Sequence, residues 1–164
     1  MEGDLLGTRL VAVVRDEFEC DQARLHLDCI FNIVSDDCVL LAEDVIGADA
    51  PLRRLVDEYE RSSVAGGPRY TLRRAGVEFS AYLQEAGFHI LPVSRDMSLN
   101  YACNVLNLGD SNILCCHAEM ARQLVRCPHF HGEVEFVDIS AVTSMYGALH
   151  CSSQPVCRSP RGDL

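Results

Sequence analysis

His26, Asp28 and Cys151 are the residues of this chain whose types can do chemistry together: an imidazole, a carboxylate and a thiol. A thiolate is a strong nucleophile, and imidazole gives and takes protons near neutral pH. A carboxylate grips a cation through charge-assisted hydrogen bonds. Together these are the parts of a cysteine-nucleophile enzyme acting on a cationic, carbon-centred electrophile. His26-Leu27-Asp28 opens an apolar, strand-like run, and strand alternation puts His26 and Asp28 on one face. Cys151 ends the segment Gly147-Ala148-Leu149-His150-Cys151 near the far end of the chain. By the same alternation His150 faces away from Cys151 and is expected to be structural.

Those groups have to be positioned by repeated, β-rich scaffolding. Thr8–Val14, Asp28–Val34 and Cys38–Ala42 read as strands, the last two joined by the turn-forming Ser35-Asp36-Asp37. Pro51 is expected to start a helix reaching Arg61, since proline suits a first turn. Ser62–Arg69, with Gly66-Gly67-Pro68, reads as a loop. A second helix is expected over Gly76–Ala86, stopped by Gly87, with a strand over Phe88–Val93. The plan then repeats. Ala102–Leu108 and Asn112–Cys116 form a hairpin around Gly109-Asp110-Ser111, Ala118–Arg126 is a helix, and Val134–Asp138 is a strand. Asp28–Leu41 and Ala102–Cys115 align without a gap, with an insertion of roughly Glu43 to Ala75 in the first copy. Self-similarity of this kind points to units that bury their faces against neighbours.

Composition sets the bounds. The 164 residues fit one domain, expected over residues 1–158 with a tail at 159–164. A hydrophobic share of 48% against 23% charged residues is that of a folded protein. No apolar stretch is long enough to span a bilayer, and no signal-like segment follows Met1, so a cytoplasmic location is expected. The net charge of −10 disfavours nucleic acid and anionic membranes as partners. Nine cysteines in such a compartment are expected to be thiols, most of them core fillers. Cys115-Cys116-His117 and Cys127-Pro128-His129-Phe130-His131 hold zinc-type ligands, but no Cys-x-x-Cys knuckle accompanies them, so no metal is expected. Glu17, Glu19 and Asp21 read as a solvated acidic turn.

His26-Leu27-Asp28-Cys29-Ile30-Phe31 resembles the His-x-Asp-x-x-Phe segment of the guanidine-modifying (pentein) superfamily, the arginine deiminases and amidinotransferases. Asn104-Val105-Leu106-Asn107-Leu108 is similar to that family's Asn-Val-Leu strand, and Gly147–Cys151, followed by Arg158, to its nucleophile segment. The resemblance covers most of residues 8–158 and implies an α/β fold of ββαβ units, part of a five-unit propeller around a central site. It implies Cys151 as nucleophile, His26 as general acid/base and Asp28 as ligand of the guanidinium, with arginine or a relative as substrate and no cofactor. The amidino-thioether so formed is released by water in a deiminase or by an acceptor amine in an amidinotransferase. The family also holds the guanidinium with carboxylates well upstream of His-x-Asp, whereas twenty-five residues precede His26 here. The chain therefore reads as half to three fifths of the family fold. It is a C-terminal portion of a longer protein, a short member completed by association into a homo-oligomer, or a non-catalytic binding or assembly member of the scaffold. Little catalysis is expected from it in isolation.

Overall fold

Both hairpins read from the sequence form, and each is completed by a third strand that returns parallel to the hairpin after a helix. The computed structural model describes residues 8–21, 24–62 and 69–154. Gly66-Gly67-Pro68, Arg158 and the tail at 159–164 lie outside these. In chain order the described elements are β1 (Leu10–Arg15), β2 (Phe31–Ile33), β3 (Cys38–Ala42), β4 (Leu55–Arg61), β5 (Tyr70–Glu78) and α1 (Phe79–Glu85). There follow β6 (His89–Val93), α2 (Arg95–Leu99), β7 (Leu106–Asn107), β8 (Asn112–Cys115), α3 (Ala118–Arg126), β9 (Glu133–Phe136) and α4 (Ser140–Thr143). Short 3-10 turns occupy Leu27–Cys29 and Glu43–Val45.

The strands make three separate sheets, ordered β1-β4-β5, β2-β3-β6 and β7-β8-β9. The first is antiparallel throughout; the second and third each combine an antiparallel hairpin with a parallel third strand. The chain is mixed α/β, and its described residues close no ring or barrel. No helix among them is long and apolar enough to cross a membrane.

β3 is central in its sheet and buried along its whole length, which is why it reads as the unbroken apolar run Cys-Val-Leu-Leu-Ala. Its period of two divides the interior. Cys38 and Leu40 face one core with Val93, Val105, Ile113 and, from α3, Met120 and Leu124. Val39 and Leu41 face the other with Ile30, Val56 and, from α1, Phe79 and Leu83. Each fully buried leucine contributes about 1.5–3 kcal/mol.

Helix ends follow local chemistry. The Glu78 carboxylate accepts the Ser80 and Ala81 N–H groups at 2.9 and 2.8 Å, capping α1. Gly87, at φ 93°, lets the chain leave that helix while the Phe88 N–H bonds the Leu83 carbonyl at 3.0 Å. Gly132 is needed for contact: a Cβ there would sit 2.0 Å from the Ser111 carbonyl oxygen.

Several expectations are corrected. Pro51–Arg61 is not a helix; Leu55–Arg61 is β4, paired with both β1 and β5. Val56 and Glu58 are buried while their neighbours are less so, a period of two that long-range pairing enforces over local propensity. Residues 76–78 finish β5, and the second helix starts only at Phe79. Asp28 and Cys29 belong to a 3-10 turn, so the following strand is short. Ala102–Leu108 is strand only at Leu106–Asn107, because Tyr101 turns the chain at φ 64°. On α3, Val125 is 69% exposed. The short α2 and α4 have no counterpart in the sequence reading. The inserted strands β4 and β5 leave the first unit to join β1.

Candidate active site

The His-x-Asp segment is held from both ends. Just upstream, the Arg24 guanidinium, with a side chain 1% exposed, makes two bonds to the Asp44 carboxylate at 2.7 and 2.9 Å. Arg95 adds a bond to Asp44 at 2.6 Å, and Glu19 lies 3.3 Å from Arg24 and 2.6 Å from Arg54. Glu19 is therefore no solvated turn residue: its side chain is 4% exposed and grips the protein's own arginines. Burial acts to raise the Asp44 carboxyl, but the hydrogen bonds and charge of Arg24 and then Arg95 outweigh it and hold the group below 3.8. This network fastens the approach to His26 against the 3-10 turn at Glu43–Val45.

His26 occupies the N-cap of the Leu27–Cys29 turn in an extended conformation, and its ring makes no capping bond. Asp28 is half-buried, and its two carboxylate oxygens face different thiols. Cys29 Sγ lies 3.8 Å from Oδ1, and Cys151 Sγ lies 3.3 Å from Oδ2. Burial, then Asp28, push the Cys29 thiol up to about 11, so it stays protonated.

Sequence reasoning missed the residue that brings the far segment in. Asn104 is fully buried, and its Oδ1 accepts the His150 N–H at 2.9 Å and the Cys151 N–H at 3.2 Å. Its Nδ2 donates to Cys151 Sγ at 3.1 Å and to the Asp28 carbonyl at 3.4 Å. One amide thus ties the Gly147–Cys151 segment to the Asp28 segment. A signal was present: in the gapless alignment the first copy has Ile30 where the second has Asn104, and a polar group in an apolar slot demands partners. Two further amides lash the sheets together, Asn32 to the Cys103 and Val105 carbonyls and Asn107 to those of Ile33 and Val34.

The structure places the three site residues read from sequence side by side. One ligating atom from each of His26, Asp28 and Cys151 lies within 4.8 Å of the other two. His26 and Cys151 are exposed, so the cluster opens to solvent. His150 is corrected: Gly147–Cys151 is a turn rather than a strand, and His150 Nδ1 lies 2.8 Å from Asp28 Oδ2. Strand alternation therefore does not apply there. The other cysteine–histidine clusters do not converge. His117 Nδ1 caps α3 through the Met120 N–H, Cys115 donates to the His117 carbonyl, and the His129 ring stacks on His89 at 3.6 Å. The eight described cysteines are unbridged.

A groove of about 510 Å³ between α3 and β9 shares no residue with this cluster. A smaller cleft of about 190 Å³ behind His26 is lined by Arg24 and Arg54, both held by carboxylates. What the cluster itself presents is a thiol, a carboxylate and an imidazole, all able to receive a cation.

The arginine deiminase family model matches residues 1–158. An arginine deiminase of Halobacterium salinarum (strain ATCC 29341 / DSM 671 / R1) is 29% identical over 189 aligned residues, covering 96% of this chain and 38% of that protein. The chain thus spans about two fifths of the length of that relative. No solved structure matches it. With a His-x-Asp segment, a buried asparagine and a late cysteine gathered at one place, and a family match across nearly its whole length, the chain belongs to the arginine deiminase family.

Proposed function

We propose that this chain carries the thiol, imidazole and one carboxylate of a site that deiminates arginine or a related guanidinium by covalent cysteine catalysis. The observation that supports it is the convergence of His26, Asp28 and Cys151, although 123 positions separate Asp28 from Cys151. An incoming guanidinium donates N–H groups to Asp28, replacing the Cys151 S–H and the His150 N–H there. Cys151 passes its proton to His26, and the sulfur attacks the guanidinium carbon while Asn104 Nδ2 steadies the thiolate. Collapse of the adduct breaks a C–N bond, and His26 returns the proton to the departing ammonia. His26 then draws a proton from water as its oxygen adds to the amidino-thioether. The C–S bond breaks, a ureido product leaves, and Cys151 is restored as a thiol. Family membership favours water over an acceptor amine as the resolving nucleophile.

The test is trapping with a haloacetamidine, a guanidinium mimic with an electrophilic carbon. The expected outcome is one adduct on Cys151, absent in Cys151→Ser and slowed in His26→Ala. With arginine, turnover by the isolated chain should be slow, and its products should be citrulline and ammonia without an amine acceptor. A folded protein that reacts at Cys20 as fast as at Cys151, or at neither, would overturn the proposal. Self-association belongs to the same reading: Val125 on α3 and Phe136 on β9 are exposed, and β9 pairs only with β8 among the described strands. Light scattering that gives a monomer would remove it.

A further inference from the structure

We propose that His26, Asp28 and Cys151 also form a site for one zinc-class divalent ion, seated where the guanidinium would bind, so that metal and guanidinium exclude each other. Metal binding needs no turnover; only the mutual exclusion rests on the function proposed above.

The donor set is an imidazole nitrogen, a carboxylate oxygen and a thiol sulfur, a combination that suits zinc and cobalt and not magnesium or calcium. Tetrahedral zinc with bonds of about 2.0–2.3 Å to such ligands separates neighbouring donor atoms by about 3.3–3.6 Å. Asp28 Oδ2 and Cys151 Sγ already stand 3.3 Å apart. The whole set lies within 4.8 Å, so His26 needs to swing inward by only about an ångström. Its ring is uncommitted by any capping bond and exposed, which leaves it able to do so. A fourth position remains open to water.

Supporting contacts of the kind that orient metal ligands are already made. His150 Nδ1 lies 2.8 Å from the Asp28 carboxylate, and Asn104 Nδ2 points at the Cys151 sulfur from 3.1 Å. Cys29 is excluded from the set by direction, since it lies against Oδ1, the other oxygen of Asp28. Loading is balanced by one proton: the Cys151 S–H gives way to a sulfur–metal bond, and the proton leaves to solvent. A metal-loaded cluster then has no thiolate to offer an electrophile.

Cobalt(II) titrated into the full, reduced chain is the probe. The expected result is one cobalt per chain, with a thiolate-to-cobalt charge-transfer band and the visible bands of four-coordinate cobalt, all displaced by zinc and unaffected by magnesium. Cys151→Ser should lose the charge-transfer band, Cys20→Ser should keep it, and His26→Ala should weaken binding by about tenfold or more. Zinc should block haloacetamidine labelling of Cys151, and a chelator should restore it. No charge-transfer band in the wild-type chain, or a band that persists in Cys151→Ser, overturns the metal site. The two readings separate cleanly. Labelling of the metal-free protein without a cobalt band removes the metal site alone, and a cobalt band without labelling removes the catalytic reading alone.

Discussion

Replacing Asn104 by leucine removes one amide and, with it, the contacts that hold the Cys151 turn in place. The two side chains are similar in size, so little cavity is created. What is lost is the acceptor for the His150 and Cys151 N–H groups, at 2.9 and 3.2 Å, and the donor to Cys151 Sγ at 3.1 Å. A backbone group stripped of its partner costs about 1–3 kcal/mol if it stays buried. His150 and Cys151 lie in an exposed turn, so water can rescue both groups and the lower end applies, about 2 kcal/mol for the pair. That strain is relieved most easily by detaching the turn, with the two cores left folded. Detachment moves the sulfur away from Asp28, and about an ångström of misplacement costs on the order of a hundredfold in rate. The assay compares Cys151 alkylation by a haloacetamidine, which needs Asp28 to aim it, with alkylation by neutral iodoacetamide, which does not. The expected result is a haloacetamidine rate lower by about tenfold to a hundredfold, with a smaller fall for iodoacetamide, which feels only the loss of the Nδ2 contact to the sulfur. An unchanged haloacetamidine rate would refute the clamp. An equal fall for both reagents would show a general loss of structure in place of a loss of aim.

Other outcomes follow from the same geometry. The Asp44 carboxyl lies below its ordinary 3.8, so its contribution to stability is present above that unfolded value and is lost as pH falls through the lower folded one. Thermal melts should therefore hold level down to about pH 4 and decline below it. Asp44→Asn should cost about 3 kcal/mol at neutral pH, the lower end for a broken buried pair because Glu19 still lies 3.3 Å from Arg24, and should flatten that acid limb. Burial pushes Cys38 and Cys103 up to about 12 and Cys115 up to about 11, while Cys20 and Cys151 are exposed. Alkylation followed by peptide mass spectrometry should find Cys20 and Cys151 modified first; early modification of Cys103 in native protein would contradict the described core. Leu40→Ala, at a fully buried position facing α3, should cost about 2–5 kcal/mol in urea unfolding, far more than truncating the exposed Val13.

Local pattern was enough for β3, β8 and α3. Cys38–Ala42 is an unbroken apolar run, and Ala118–Arg126 lies between a capping histidine and a proline, so side-chain chemistry along the segment determines its state. Residue type likewise marked His26, Asp28 and Cys151, because few side chains can do that chemistry. The inserted strands were not legible. Leu55–Arg61 becomes β4 through pairing with β1 and β5, and no window of the sequence contains those partners. The same limit applies to Glu19, which looks solvated until Arg24 and Arg54 close on it. It applies again to His150, whose facing was inferred from strand alternation that a turn does not obey. The tertiary structure alone decided that a single buried amide, Asn104, would draw Cys151 onto Asp28. Composition and spacing name the candidate groups, but an ångström-scale distance across more than a hundred residues is a property of packed cores and hydrogen bonds, and only the fold supplies it.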